Sequence, residues 1–259
     1  MKPLPASVSA RHALVTGGGQ GIGSAVARAL VAQGLRVTVL GRRIDVVTTL
    51  AQTDPEHLHA VAADVADAAQ VAAAVANARA RFGRIDVLVN NAGQAVSAPF
   101  LKTAATLWQQ MLDVNLTGTM VCIQAVLPDM LEAGWGRIVN VASTAGQVGY
   151  AYVAAYCAAK HGVIGLTRSV ALEMATKGIT VNAVCPGYTE TEIVRESIAR
   201  VVAKTGRSAE QARAEFVKSN PQGRLVQPEE VADTVAWLCG VGAGAVTGQA
   251  ISVSGGEVM

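Results

Sequence analysis

The 259-residue sequence predicts an α/β fold, a doubly wound seven-stranded parallel sheet with helices on both faces. Three observations carry that expectation. Short β-branched runs alternate with long alanine-rich stretches, the rhythm of strands joined by crossover helices. The short runs, such as Ala-Leu-Val at 13–15 and Val-Thr-Val-Leu at 37–40, are apolar without alternation, as strands covered on both faces must be. A hydrophobic content of 51% against 15% charged residues supplies a large core and excludes a disordered chain.

The first predicted strand, His12–Thr16, runs into Thr16-Gly17-Gly18-Gly19-Gln20-Gly21-Ile22-Gly23, which opens a helix over 22–33. Glycine there lets the backbone turn tightly and approach a pyrophosphate among the free N–H groups of a helix N-terminus. The spacing is Gly17-x-x-x-Gly21-x-Gly23 rather than G-x-G-x-x-G, so a tight strand–helix turn is the alternative. The second strand, 36–40, ends in Leu40-Gly41-Arg42-Arg43. An acidic residue at this spot accepts from the ribose 2′-hydroxyl of NAD, whereas arginine suits the 2′-phosphate of NADP. Gly41 takes the acidic position and two arginines follow, which favours NADP(H) over NAD(H); the alternative is a pair of solvated loop charges. A helix over 45–51, a strand at Leu58–Ala62 and a helix at Ala68–Phe82 come next, then a strand at 85–89. Beyond them are a long helix over 105–130, a strand at 137–142 and a helix over 152–176. A strand at 180–184, the helix Pro228–Cys239 and a strand at Ala250–Val253 complete the series.

No linker, repeat or low-complexity tract divides the chain, so residues 1–259 read as one domain. The segment 188–223 is the longest and most charged connection, which suits a lid over a substrate site; the alternative is an ordinary surface helix pair. A net charge of +2 without basic runs argues against nucleic acid and anionic membranes as partners. Residues 1–10 lack the apolar stretch of a signal peptide, and no uninterrupted apolar run nears the ~20 residues of a membrane span. Cys122, Cys157, Cys185 and Cys239 have no metal-ligand spacing and read as reduced, buried thiols of a cytoplasmic protein. Cys157 adjoins Tyr156, but adjacent helical positions diverge by about 100°, which points it elsewhere.

Tyr156 and Lys160 stand four residues apart in Ala-Tyr-Cys-Ala-Ala-Lys-His, on one face of a helix. An ammonium beside a phenol favours phenolate and predicts a depressed tyrosine pKa, which would suit proton exchange with a carbonyl or alcohol oxygen. Alone, such a pair is no more than a polar helix face.

Further landmarks are Asp64-Val65, Asn90-Asn91-Ala92-Gly93, Asn115, Ser143 and Pro186-Gly187. With the glycine turn and the Tyr156/Lys160 pair, they make the chain resemble the short-chain dehydrogenase/reductase family over nearly its whole length, with a Rossmann-like fold. The resemblance implies a proton donor at Tyr156 and a carbonyl-orienting hydroxyl at Ser143, thirteen positions upstream. It makes Lys160 the ligand of the nicotinamide ribose and Asn115 the anchor of a proton-relay water. The implied cofactor contacts are Gly17, Gln20, Gly21, Ile22, Gly23, Arg42, Arg43, Asp64, Val65, Asn91, Ala92, Gly93, Pro186, Gly187, Thr189 and Thr191, besides Tyr156 and Lys160. Substrate-pocket candidates are Gln94, Ser143, Gln147, Tyr150, Tyr152 and Tyr188; Tyr152 has no lysine at +4 and reads as pocket wall. His161 reads as a satisfied helix residue.

The segments 136–143, 160–163 and 226–231 are similar to 3-oxoacyl thioester reductases and polyketide ketoreductases. They imply reduction of a 3-oxoacyl group on acyl carrier protein or coenzyme A. Oxidation of a 3-hydroxyacyl-CoA, a 3-hydroxy acid or another small secondary alcohol is the rival within the class, and a nucleotide-binding regulator the rival outside it. The family also implies a homotetramer.

Overall fold

The structure, a computed structural model, describes residues 11–259; the expectation for residues 1–10 lies outside them. Seven strands form one sheet: β1 (His12–Thr16), β2 (Arg36–Gly41), β3 (Leu58–Ala62), β4 (Val87–Asn90), β5 (Gly136–Val141), β6 (Ile179–Pro186) and β7 (Ala250–Val253). Their order is β3-β2-β1-β4-β5-β6-β7, and every neighbouring pair is parallel. The chain reverses its direction of travel across the sheet between β1 and β4. At such a switch point an open α/β sheet leaves a crevice beyond the carboxyl ends of its strands.

Side chains alternate across the sheet, so Ala13 and Val15 face one layer while Leu14 faces the other. The first layer holds α1 (Gly21–Ala32), α2 (Ile44–Ala51) and α9 (Pro228–Cys239), packed through Val26, Leu30, Val47, Val235 and Leu238. The second holds α3 (Ala68–Phe82), α5 (Gly118–Ala133) and α6 (Ala154–Met174), packed through Val71, Val75, Ile123 and Val126. Local chemistry fixes several starts. The Asp67 carboxylate accepts from the N–H groups of Ala69 and Gln70 at the head of α3. Pro228 occupies the first turn of α9, where its missing N–H has no consequence.

Two helices depart from the sequence expectation. The run over 105–130 is not continuous: α4 (Ala105–Leu112) passes through a π-helical turn, Asp113–Thr117, into α5. Polar contacts of Asn115, described below, hold that wider turn in place. The helix expected from 152 begins at Ala154, because Tyr152 has φ 67° and turns the chain at the helix entrance. The stretch Ala105–Ala133 is long and apolar enough to cross a membrane by length and composition. In the fold it serves as a layer helix, with α5 packed on α3, β4 and β5. The segment 188–223 forms two further helices, α7 (Glu192–Thr205) and α8 (Ala209–Val217).

Candidate active site

Beyond the carboxyl ends of β1, β4, β5 and β6 lies a cavity of roughly 1280 Å³. Its first wall is the glycine turn. Gly17 and Gly21 take positive φ, 63° and 52°, which side chains rarely adopt. Gly23 is required by crowding, since a Cβ there would collide with the Gly17 carbonyl and the Asn91 side chain. Asn91 holds the turn by donating from Nδ2 to the carbonyls of Thr16 and Gly17, both at 3.1 Å. The Thr16 hydroxyl accepts from the N–H groups of Asn91 and Ala92 at 3.0 Å, locking β1 to the loop after β4. The head of α1 has no acidic residue in its first turn and no side-chain cap, so its N–H groups remain free for an anion. A dinucleotide diphosphate fits this cradle. Arg42 and Arg43 line the same cavity; Arg43 donates to Gln20 Oε1, and Arg42 stands 4.0 Å from Asp64.

The second wall carries the reactive groups. Asn115 is fully buried in the π turn, donating from Nδ2 to the carbonyls of Gln94 and Met111 at 3.0 Å. Its Oδ1 accepts from Gln94 N–H at 3.2 Å. A Cβ at Gly93 would stand 2.8 Å from Asn115 Oδ1 and 3.6 Å from Lys160 Nζ, so the glycine lets these two groups approach one spot. Lys160 is buried on α6, and its ammonium donates to the Val141 carbonyl at 2.8 Å, 5.7 Å from the Tyr156 ring centre. α6 is itself pinned to the sheet. Thr167 accepts from Asn140 Nδ2 at 2.9 Å, and Asn90 donates to Asn140 across β4 and β5.

The expected depression of the Tyr156 pKa is not found in the cofactor-free chain. Burial pushes the phenol up to about 12, and the hydrogen bond with Ser143 draws it only partly back. Burial pushes the Lys160 ammonium down to about 8. Desolvation is the largest cause at both groups and acts against their charged forms.

The substrate end is aromatic. Tyr150, Tyr188 and Phe216 meet edge to face, with ring centres 6.2 Å and 5.0 Å apart, and all three line the cavity. Gln94 and Tyr152 line it as expected, and one face of α7, through Ile193, Ser197, Arg200 and Lys204, walls its length. Parts of the segment 188–223 therefore line the cavity, with Thr191 beside Gly21. Glu190 pairs with Arg195 and Arg213, tying α7 and α8 to the start of that segment.

Four expectations shift. Gln147 points away from the cavity, accepting from the Ser252 hydroxyl at 2.9 Å and donating to the Ala250 carbonyl, so it ties to β7. Val65 is core, packed where Gly118 leaves no room for a side chain. Asp64 stands behind Arg42 rather than on the cavity lining, and Gly23 lies just beneath the turn. The other sequence candidates all meet in the one cavity. Thr144, next to Ser143, and Phe216, within the segment 188–223, were not singled out as site residues; Glu257 was missed because nothing local marks a residue that reaches the site from a distant segment. All four cysteines are free and buried, and burial pushes the thiols of Cys122, Cys185 and Cys239 upward. They have no part in the site's chemistry.

The short chain dehydrogenase family model matches residues 11–201. The chain belongs to the short-chain dehydrogenase/reductase family. It is an oxidoreductase of that family, with a nicotinamide cofactor. Among its relatives, a Streptomyces coelicolor protein provisionally named a ketoacyl reductase is 44% identical over 94% of this chain and 95% of its own. The 3-oxoacyl-[acyl-carrier-protein] reductase of Synechocystis is 40% identical over 98% of this chain and 99% of its own. A variant of actinorhodin polyketide ketoreductase, crystallised with NADPH, superposes with a TM-score of 0.92 at 42% identity, covering 95% and 97% of the two chains.

Proposed function

We propose that this chain is an NADPH-dependent reductase of 3-oxoacyl thioesters, with the acyl group carried by acyl carrier protein or coenzyme A. The carrying observation is the convergence of Ser143, Tyr156 and Lys160 on a cavity whose opposite wall is the glycine cradle. The ketoacyl reductase relatives support the thioester. Arg42 and Arg43 on the cavity wall support the 2′-phosphate.

A nicotinamide cofactor, which the glycine turn and Lys160 would hold, would supply a hydride to the carbonyl carbon. Negative charge then develops on the carbonyl oxygen, where the Ser143 hydroxyl and the Tyr156 phenol offer donors. The Tyr156 proton passes to that oxygen and completes the secondary alcohol; in oxidation the phenolate takes it back. A phenol held up to about 12 keeps its proton at neutral pH, which suits the reductive direction. Lys160 is placed to meet ribose hydroxyls and, as a cation beside Tyr156, to stabilise the phenolate left behind. Gly93, Asn115 and Lys160 line one stretch of the cavity, where a water would restore the proton.

Loss of NADPH absorbance with acetoacetyl-CoA, run against a panel of simple ketones and secondary alcohols, tests the reading. The highest kcat/KM is expected for acetoacetyl-CoA. A higher value for a simple ketone or alcohol removes the thioester, and tight NADPH binding without any turnover removes catalysis. Exposed Trp108, Met120 and Leu131 along α4 and α5 support assembly as a homotetramer, which light scattering on the purified protein checks.

A further inference from the structure

Glu257, in the segment after β7, enters the substrate wall from behind. Its Oε1 accepts the Tyr150 hydroxyl at 2.7 Å. A phenol has one proton, so with that proton on the carboxylate, the Thr144 hydroxyl 3.0 Å away is left to donate to the Tyr150 oxygen. Oε2 is buried and has no hydrogen-bond partner among the described residues. It rests against Gly187, where a Cβ would come within 2.7 Å of it. Gly187 lines the cavity, so this unpaired oxygen lies behind the cavity wall at that glycine. Among the described residues no salt bridge reaches Glu257. The cations of the cavity lie elsewhere: Lys160 is directed at Val141, Arg42 and Arg43 follow β2, and Arg200 and Lys204 stand on α7.

We infer that Glu257 is a specificity-determining residue that sets the charge class of the substrate, rejecting a carboxylate beside the reacting ketone and admitting a neutral ester or thioester. The inference rests on the proposed ketone reduction and deepens it. A negative charge behind a thin wall raises the free energy of an anionic substrate held against that wall, in a space of lowered dielectric where screening is weak. A neutral acyl group is indifferent to it. Burial raises the Tyr150 phenol and the carboxylate adds to that rise, so the tyrosine stays a neutral donor to Glu257.

The test compares acetoacetate with methyl acetoacetate in the full-length wild type and in Glu257→Gln, which keeps the shape and removes the charge. The kcat/KM ratio of acid to ester is expected to rise about tenfold in the variant, the size of a screened repulsion between unit charges roughly 10 Å apart. The methyl ester serves as the reference within each protein, so the ratio is read whatever the substitution does to turnover of both substrates together. An unchanged ratio, with both substrates losing activity together, overturns the inference and leaves Glu257 as an anchor of its segment. Acetoacetyl-CoA run alongside separates the two readings: its failure, with the ratio still shifted, removes the thioester and keeps the charge rule. Should neither probe turn over, their inhibition constants against an accepted ketone give the same ratio and decide the matter in the same way.

Discussion

The cavity has two walls built in different ways. The cofactor wall is made of backbone: glycines at 17, 21 and 23, the free head of α1, and Asn91 and Thr16 gripping main-chain groups. The substrate wall is made of side chains from separate segments: Tyr150 before α6, Tyr188 after β6 and Phe216 on α8, with Glu257 after β7 bonded to Tyr150 from behind. A backbone cradle admits few residue types at each position, because sterics forbid a Cβ there. A side-chain wall is held by packing and can be lined in many ways. Relatives can thus share the first wall and the reaction while differing in what they reduce.

The largest effect is expected where the walls meet. Tyr156→Phe removes the transferred proton and should lower kcat by about 10³, within the range for a positioned general acid, with NADPH affinity unchanged by fluorescence titration. Retained turnover would take Tyr156 out of the mechanism on both walls at once.

Lys160 belongs to both walls, and its burial is open to a pH test. Its folded value, about 8, lies below its ordinary 10.5. Between those values the unfolded chain binds more protons, so the stability of the cofactor-free protein rises with pH across that window. Relative to Lys160→Met, the wild type should gain about 3 kcal/mol from pH 8 to about 10.5, measured by urea midpoints. Parallel profiles of the two proteins would show that burial does not press on this ammonium.

A smaller effect isolates the cofactor wall. Arg42→Asp should reduce the NADPH-to-NADH ratio of kcat/KM by about tenfold, one charge-assisted hydrogen bond's worth, and leave the ranking of ketones intact. An unchanged ratio would return Arg42 to solvent. The smallest effect separates lining from support. Gln147→Ala loses only the bonds to Ser252 and Ala250, so it should lower stability by about 1 kcal/mol and leave KM within about twofold. A large rise in KM would put Gln147 back in the pocket.

Much of this was legible in the chain because the responsible forces are local or periodic. The apolar runs of both-face-buried strands, the glycine turn and the one-turn spacing of Tyr156 and Lys160 state their geometry in sequence. Where reading failed, a tertiary contact had intervened. Asn115 widens one helical turn inside an otherwise unbroken helical pattern, because its amide bridges to Gln94. Tyr152 delays α6 by adopting φ 67°. Gln147 lies one turn from cavity residues yet finds its partners on β7.

The sequence by itself determined the order of strands and helices, the glycine turn after β1 and the residues proposed to transfer the proton. Each is imposed by sterics or spacing within a few residues. Only the tertiary structure decided the protonation balance at Tyr156 and Lys160, since desolvation depends on what surrounds them. It alone also set the composition of the substrate wall, where Glu257, over a hundred positions from Tyr150, comes within 2.7 Å of its hydroxyl. Burial and long-range contact are properties of the packed chain, and no local pattern encodes them.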